Sequence, residues 1–230
     1  MGAKKYTPLP EYDLLVNRWL ANYDRANYDR GLSAYVLRST HALIEKQFGP
    51  EAYFGSVLEV GAGTLVHLPF VRHRFDRYIA SDLEQKVLDS AQIDKLPKGV
   101  ELMTLDSTDL PFEDNAFDRL IATHVLEHLP FPHVAIHEWA RVVRPGGVIS
   151  IILPCDPGFA WRLGRHFGPR RQAQKAGLPY EYYMAREHIN SIFNLQAILD
   201  FHFPERAITW WPFKVASPDI NLIYAGNFYV

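Results

Sequence analysis

The chain has 230 residues, 48% of them hydrophobic and 13% aromatic, which suits one α/β domain with an additional segment better than two independent domains. Its net charge of −2 does not favour a nucleic-acid partner, which usually leaves a clear basic excess, and its single cysteine excludes an intramolecular disulfide. Without a signal-peptide pattern or about 20 uninterrupted apolar residues, the sequence predicts a cytoplasmic protein that does not associate with membranes.

Residues 1–50 predict a helical segment ahead of the core. Apolar residues recur at near-helical spacing between Leu14 and Leu20, and the five residues Ala21–Arg25 are repeated immediately as 26–30. Two copies are too few for a repeat architecture. A further helix is predicted from Leu32 to Phe48, before the Gly49-Pro50 stop signal.

A glycine turn follows the first predicted strand. Val57–Val60 is β-branched and aliphatic, as expected for a short buried strand, and Gly61 and Gly63 follow it. The two glycines let the backbone turn sharply and leave its amide groups accessible. A helix is predicted over Leu65–Arg74, with an irregularity at Pro69.

Acidic residues stand at the ends of the next two predicted strands. The strand at 77–82 ends in Asp82, about 20 residues after the glycine turn, where an acid is placed to bind ribose hydroxyls. The strand at 100–105 is followed by Asp106. In open α/β sheets the carboxyl ends of the strands are where ligands bind, so these acids predict a nucleotide site.

The dinucleotide fingerprint is incomplete. It requires a third glycine three residues after the second, where the helix receives a pyrophosphate, and this chain has Val66 there. A cofactor with adenosine but no pyrophosphate, such as S-adenosylmethionine, does not need that glycine. A nicotinamide dehydrogenase stays as an alternative that Val66 counts against.

The remaining elements predict a parallel sheet with helices on both faces. A strand at 117–123, a helix at 131–143 and a strand at 147–153 complete the alternating pattern. After an irregular stretch, a helix over Ser191–Leu199 precedes two final strands at Ala207–Lys214 and Asn221–Val230.

Four stretches, in order, resemble the class I S-adenosylmethionine-dependent methyltransferases, in particular the small-molecule branch with a type 11-like domain. They are Leu58–Gly63, Ser81–Asp82, Asp106-Ser107 with Leu110–Phe112, and Phe117–Leu129, and Arg141–Ile151 resembles the family's helix end, glycine turn and fifth strand. The resemblance covers residues 55–155 well and the tail more loosely. It implies an α/β, Rossmann-like, doubly wound, seven-stranded sheet that is mostly parallel with one antiparallel strand.

The resemblance also implies a division of the chain. Residues 1–50 would form a helical cap and 51–155 the cofactor-binding core. Residues 156–190 would form a lid inserted after the fifth strand, and 191–230 the last helix and two strands of the core. Tyr23 or Tyr28 of the cap would offer an aromatic face to the sulfonium, although packing of the helices against the sheet is the alternative.

Cofactor-binding roles follow from the resemblance, residue by residue. Gly61, Ala62 and Gly63 would lie under the methionine portion of S-adenosylmethionine, with Glu59 at its amino group. Asp82 would bind the ribose hydroxyls, and its neighbour Leu83 is a further cofactor-binding candidate. Asp106 would bind the adenine amino group, and the backbone of Ser107 would contact the adenine ring. Thr123 would offer its carbonyl to the methionine amine.

Residues 156–190 are rich in arginine and aromatic residues. No strand or clear helix is predicted there, and the segment is interpreted as lying over the mouth of the site. Arg162, Arg170, Arg171, Arg186 and Tyr183 are the candidate acceptor-binding residues, because arginine clamps phosphates and carboxylates. A solvated basic face and attraction to an anionic membrane surface are the alternatives.

Histidines are the candidate general bases. His188 and His128 are favoured over His124, since histidine titrates near neutral pH. His124, Glu127 and His128 also resemble a metal-binding element of some relatives, but a histidine replaces its first acid, and no metal is predicted. The exit of the fourth strand lacks the Asn/Asp-Pro-Pro-aromatic element of enzymes that methylate base amines, which argues against nucleic-acid adenine.

The resulting expectation is methyl transfer to an oxygen or nitrogen of a small, anionic metabolite, such as a sugar, a nucleotide sugar or a glycan end. A lipid-linked or quinone-like acceptor is the alternative among enzymes. A cofactor-binding partner protein without catalytic activity is the alternative of a different class. The sequence does not indicate an oligomeric state.

Overall fold

A computed structural model describes residues 32–91 and 96–230 of the chain. The tandem repeat and the candidate aromatic residues Tyr23 and Tyr28 lie outside these ranges. The first described element is helix α1, Leu32–Glu45, which corresponds to the helix predicted up to Phe48.

Seven strands form one sheet, as the sequence predicts. They are β1 Ser56–Val60, β2 Arg77–Asp82, β3 Val100–Thr104, β4 Phe117–Thr123, β5 Val143–Pro154, β6 Arg206–Trp211 and β7 Ile223–Tyr229. Their order is β3-β2-β1-β4-β5-β7-β6, with β1 to β5 parallel and β7 antiparallel to both of its neighbours. The predicted fold class, including its single antiparallel strand, is confirmed. The strand order reverses between β1 and β4, so the ligand crevice of such a sheet is expected at their carboxyl ends.

Within the described residues, six α-helices follow β2. They are α2 Gln85–Asp89, α3 Pro132–Val142, α4 Phe159–Phe167, α5 Pro169–Lys175, α6 Tyr180–Glu187 and α7 Ile192–His202. Helix α7 begins at Ser191, whose hydroxyl accepts a hydrogen bond from the Asn194 amide at 3.2 Å, as an N-cap serine should. No helix in the described ranges is both long enough and apolar enough to cross a bilayer.

Two apolar layers flank the sheet, because successive strand residues point to opposite faces. Leu58 belongs to the layer that includes α3 and α7, whereas Val57 belongs to the layer that includes Leu43 and Ile44 of α1. Glu59 is two residues from Val57 and therefore points to the same side as α1. A carboxylate is thus placed within the layer under α1.

The prediction of a helix over Leu65–Arg74 was wrong. A single 3-10 turn, Leu68–Phe70, is all the helical structure there. Leu65 has a φ of 63°, in the left-handed region that opposes a right-handed helix, and Pro69 lacks the amide that an α-helix needs. The glycine turn therefore leads into irregular backbone.

Over residues 159–188 the sequence predicts neither a strand nor a clear crossover helix, and the short helices of this segment were not predicted. Helices α4, α5 and α6 occupy most of it. The periodic apolar residues of α4 face solvent and not the core. The segment contains its own small apolar cluster around Ala173, Leu178, Tyr180 and Met184.

Candidate active site

The glycine turn after β1 has the backbone geometry that the sequence predicts. Gly61 and Gly63 have φ values of 64° and 55°, in the left-handed region that favours glycine. A Cβ on Gly61 would lie 2.5 Å from Cγ2 of Val125, so a side chain does not fit there. A Cβ on Gly63 would have no atom of the described residues within 4 Å, so these residues leave space beside the turn.

Asp82 holds this turn in place. Its Oδ2 accepts a hydrogen bond from the Gly63 amide at 3.0 Å, and its Oδ1 accepts one from the Glu84 amide at 3.1 Å. The Ala62 amide donates to the Ser81 carbonyl at 2.8 Å, a second link between the turn and β2. Each carboxylate oxygen of Asp82 keeps a further lone pair, which suits it to hydroxyl groups of a ligand.

Glu59 is a buried carboxylate with one oxygen unused. Its residue exposure is 1%, and its Oε2 accepts a hydrogen bond from the Tyr78 hydroxyl at 2.6 Å. Its Oε1 has no hydrogen-bond partner among the described residues. Burial raises the pKa of Glu59 above its usual value. A buried carboxylate without a full set of partners is costly, and a cationic ligand group would supply the missing one.

The other predicted cofactor residues lie at the same edge of the sheet. Asp106 follows β3 and is exposed, and its Oδ1 accepts hydrogen bonds from the Thr108 amide and hydroxyl at 2.8 and 2.7 Å. The Ser107 carbonyl accepts a hydrogen bond from the Trp139 indole at 2.9 Å. Leu83 is 66% exposed, whereas Thr123, the last residue of β4, is buried.

His124 and Glu127 form a buried pair beside the glycine turn. His124 has a φ of 59°, and its Nδ1 lies 3.3 Å from Oε1 of Glu127. Burial opposes ionisation of Glu127, but the hydrogen bond with His124 and the nearby histidines outweigh it and lower the pKa. The His124 Nε2 and the Glu127 Oε2 have no hydrogen-bond partner in the described part of the chain.

His188 and His128 are brought together, as predicted residues of one site should be. Their ring centroids are 5.0 Å apart. His188 Nδ1 lies 3.0 Å from Oδ2 of Asp156, which also receives Arg165 Nη1 at 3.1 Å. His128 Nδ1 lies 2.9 Å from the Glu187 carbonyl, and burial lowers the pKa of His128.

Asp156 is a functional candidate that the sequence analysis missed. Burial opposes its ionisation, but the hydrogen bond with His188 and the charge of Arg165 lower its pKa. A carboxylate at Nδ1 places the proton of a neutral His188 on that nitrogen and leaves the lone pair on Nε2. The Asp156-Pro157 dipeptide reads as a turn in the sequence, which gave no sign of this role.

A second missed feature is the buried polar cluster formed by His41, Glu45, His67 and Arg119. Glu45 Oε1 lies 2.7 Å from Arg119 Nη2 and 3.1 Å from His67 Nε2, and His67 Nδ1 lies 3.1 Å from His41 Nδ1. Burial opposes ionisation of Glu45, yet His67 and Arg119 lower its pKa to about 2. The His41 ring lies 6.4 Å from the His124 ring, so this cluster connects α1 to the candidate site.

The candidate acceptor residues are not gathered around one point. Arg170 bonds to Glu181 through Nε at 2.7 Å and to His166 through Nη1 at 2.9 Å. Tyr183 is partly buried and packs against the small cluster that contains Met184. These contacts hold α5 and α6 together, so Arg170, one of the candidate acceptor-binding residues, is already paired with a carboxylate of the protein.

Arg162 and Arg171 are the more available members of the set. Both are exposed and form no ion pair with any residue in the described ranges. Arg171 lies over the Phe167 ring at 5.1 Å, and Arg186 lies over the Tyr182 ring at 5.9 Å. Within residues 32–91 and 96–230 no group of three or more His, Cys, Asp or Glu side chains is arranged to hold a metal ion.

Comparison with known proteins identifies the core. Residues 58–151 match a family model described as a methyltransferase domain. The chain is 37% identical over 113 residues to 2-methyl-6-phytyl-1,4-hydroquinone methyltransferase 2 of Oryza sativa subsp. japonica. The aligned residues are 48% of this chain and 32% of the relative. It is 34% identical over 131 residues to a phosphatidylethanolamine N-methyltransferase of Cereibacter sphaeroides, covering 55% of this chain and 60% of the relative. The chain thus spans between about a third and three fifths of the length of these relatives.

Solved structures share the fold. An S-adenosylmethionine-dependent methyltransferase from Thermotoga maritima has a TM-score of 0.61 at 16% identity and covers 94% of this chain and 98% of its own. Another from Aquifex aeolicus has a TM-score of 0.55 at 20% identity and covers 83% of this chain and 89% of its own. Residues 58–151 therefore match a methyltransferase domain, as the resemblance to the class I S-adenosylmethionine-dependent methyltransferases predicts, and the fold is that of these two solved structures.

Proposed function

We propose that the protein transfers a methyl group from S-adenosylmethionine to an oxygen or nitrogen of an acceptor that carries an anionic group. The observation that carries this proposal is the arrangement around the glycine turn. Among the described residues, one buried oxygen of Glu59 has no hydrogen-bond partner, Asp82 holds the turn, and no atom approaches the Cβ position of Gly63.

These residues fit the cofactor chemically. Glu59 would bind the methionine ammonium group, because its Oε1 has no partner in the described part of the chain and a cation would favour the ionised form that burial disfavours. Asp82 would bind ribose hydroxyls and Asp106 the adenine amino group. When bound, the sulfonium supplies an electrophilic methyl group and leaves as a neutral thioether, so no acid is required at the donor.

The protein's remaining tasks are to align the acceptor and to remove its proton where its pKa demands it. His188 is the proposed base, because Asp156 orients its ring and leaves Nε2 as the proton acceptor. His128 lies beside it, with its ring centroid 5.0 Å from that of His188. His124 is proposed to contact the acceptor or the cofactor, since its Nε2 has no partner among the described residues.

Arg162 and Arg171 support an anionic acceptor. They are exposed on the segment that follows β5, at the carboxyl edge of the sheet, where the glycine turn also lies. Guanidinium groups bind phosphates and carboxylates in bidentate fashion, so an acceptor with either group is favoured.

A lipid-linked or quinone-like acceptor is the second candidate. It is supported by the two relatives named above, one a hydroquinone and one a phospholipid methyltransferase. A phospholipid would satisfy both candidates, because it combines a phosphate with an apolar body.

Acceptor screening tests the proposal. The protein would be incubated with methyl-labelled S-adenosylmethionine and matched panels of nucleotide sugars, sugar phosphates, phospholipids and quinols. The double variant Arg162→Gln, Arg171→Gln should raise the KM of an anionic acceptor about tenfold or more and leave affinity for S-adenosylhomocysteine unchanged. Arg77→Gln, at the amino end of β2 on the opposite edge of the sheet, is the matched control. An unchanged KM would show that Arg162 and Arg171 do not bind the acceptor. The absence of labelled product from every panel would count against methyl transfer by this protein.

A further inference from the structure

Helix α4 presents its apolar side to solvent. Phe159, Leu163 and Phe167 are spaced four residues apart, so they lie along one face of the helix, and they are 60%, 47% and 60% exposed. We call this face the apolar ridge. A surface helix normally buries such a stripe against the core, and this one does the reverse.

The opposite side of α4 is the side that packs on the protein. Trp161 is partly buried, a Cβ on Gly164 would contact Leu222 at 3.8 Å, and Arg165 bonds to Asp156. The Ala160 amide donates to the Asp219 carbonyl at 2.8 Å, which fixes the start of the helix to the loop before β7. The helix is therefore anchored with its ridge outward, and the exposure is a property of the fold.

The neighbouring loop extends the apolar surface. The connection between β6 and β7 carries Phe213, Val215 and Ile220, which are also exposed. Because β7 runs antiparallel to β5, this loop lies at the same edge of the sheet as the carboxyl end of β5, from which α4 follows. The ridge and the loop thus stand at the edge of the sheet that holds the candidate active site.

Basic residues accompany the ridge. Arg162, Arg171, Lys175 and Lys214 are exposed, and Arg171 stacks on Phe167. Glu181 pairs with Arg170, and Asp219 accepts a hydrogen bond from the Phe159 amide through Oδ1 at 3.2 Å. With these two acids engaged within the protein, the surface around the ridge combines large apolar side chains with a positive border.

We propose that the apolar ridge of α4 docks on an anionic phospholipid bilayer, with the basic side chains at the headgroups and the phenylalanines among the acyl chains. An outward apolar helix face bordered by Arg and Lys is the arrangement of interfacial helices, which bind through buried apolar area and attraction to anionic lipids. This docking would turn the carboxyl edge of the sheet to the bilayer. It revises the sequence-based expectation of no membrane association.

Residues 1–31 of the same chain are a less suitable cover for the ridge. They contain five basic and four acidic residues, so they offer no negative excess to match the positive border. A second copy of the chain would bring the same positive border against itself. A bilayer that contains anionic lipid complements both the apolar and the charged part of the surface.

Vesicle co-sedimentation tests this docking without any knowledge of the acceptor. The full chain would be mixed with vesicles of phosphatidylcholine alone or of phosphatidylcholine with phosphatidylglycerol. The expected result is sedimentation with the mixed vesicles only, weakened by salt, and reduced about tenfold or more by Phe159→Ser with Phe167→Ser. Phe201→Ser is the matched control, because Phe201 is 83% exposed and lies near the amino edge of the sheet, close to the start of β6.

Circular dichroism and S-adenosylhomocysteine binding would establish that each variant is folded, and Phe167→Ser alone replaces the double variant if that one is not. No sedimentation with the mixed vesicles would overturn the proposal, as would equal binding to both vesicle types or undiminished binding of the ridge variant. A dimer in ultracentrifugation that the ridge variant converts to a monomer would assign the ridge to a subunit interface instead. Since no readout depends on turnover, failure of this docking and failure of methyl transfer are distinguishable.

Discussion

The Gly63 amide donates a hydrogen bond to Oδ2 of Asp82 over 3.0 Å. This contact joins the turn after β1 to the end of β2, so the two parts of the proposed cofactor site hold each other in place. A carboxylate that fixes the turn is also correctly placed to bind ligand hydroxyls beside it.

Replacement of Asp82 should therefore weaken cofactor binding. We expect Asp82→Ala to reduce affinity for S-adenosylhomocysteine by about 1–3 kcal/mol, because two backbone amides and the ligand hydroxyls lose an acceptor. Isothermal titration calorimetry measures the change. Glu205→Ala, an exposed acid near the amino edge of the sheet, is the control, and equal affinity of the two variants would remove Asp82 from the site.

Glu59 is expected to lower the free energy of unfolding and to strengthen cofactor binding. Burial raises its pKa in the folded protein, so its contribution to stability is present below the unfolded value near 4.5 and is lost as pH rises through the folded value. At pH values above the folded pKa, Glu59→Gln should raise the free energy of unfolding by about 1 kcal/mol, because a buried charge is removed. The same change should weaken S-adenosylhomocysteine binding about tenfold or more. Urea unfolding and calorimetry test the two effects, and a loss of stability without a loss of affinity would make Glu59 a structural residue.

Glu45 should have the opposite effect on stability. Its pKa is lowered to about 2, so its contribution is present above the unfolded value near 4.5 and is lost as pH falls towards 2. Glu45→Gln leaves the charge of Arg119 in the core without its partner and should cost about 3–5 kcal/mol in urea unfolding. Glu101→Gln breaks a half-exposed pair with Arg77 and should cost no more than about 1 kcal/mol. Similar costs for the two variants would contradict this account.

His41 should make the protein sensitive to mild acid. Burial, then the neighbouring His67 and His124, lower its pKa to about 2, so the folded state keeps it neutral while the unfolded chain binds a proton below about 6.5. Stability is then lost as pH falls, by about 2 kcal/mol between pH 6.5 and 5 from this residue alone. His41→Gln should flatten that part of the profile in urea unfolding, whereas exposed His133→Gln should not. An unchanged slope in His41→Gln would show that other groups set the acid sensitivity.

The strands, the glycine turn and the acids were predictable from the sequence because each depends on local pattern. Val57–Val60 has strand composition whatever surrounds it, and glycine marks a left-handed turn by itself. Asp156 and Glu45 were not predictable, since their roles depend on partners far along the chain, His188 and Arg119. Long-range pairing of polar groups is decided by the packing of the sheet, which a single sequence does not show.

Helix α4 illustrates a different limit. The sequence indicated an amphipathic, basic and aromatic segment, but it did not show which side faces the protein. Two observations decide that question. A Cβ on Gly164 would lie 3.8 Å from Leu222, and Leu163 is exposed.

His188 should control the chemical step. We expect His188→Ala to lower kcat by about 10²- to 10⁴-fold with an acceptor that must lose a proton, because the variant lacks the proposed base. Asp156→Asn should lower kcat less, because the base is retained but its ring is no longer oriented by a carboxylate. His137→Ala, exposed on α3, is the control. A kcat of His188→Ala equal to that of the His137→Ala control would show that His188 is not the base.

The central claim is that the glycine turn, Glu59 and Asp82 bind S-adenosylmethionine. Calorimetric titration of the full chain with S-adenosylhomocysteine and, separately, with NAD tests it most directly. We expect one-to-one binding of S-adenosylhomocysteine, lost or weakened in Glu59→Gln and Asp82→Ala, and no heat of binding with NAD. Binding of NAD alone would contradict it.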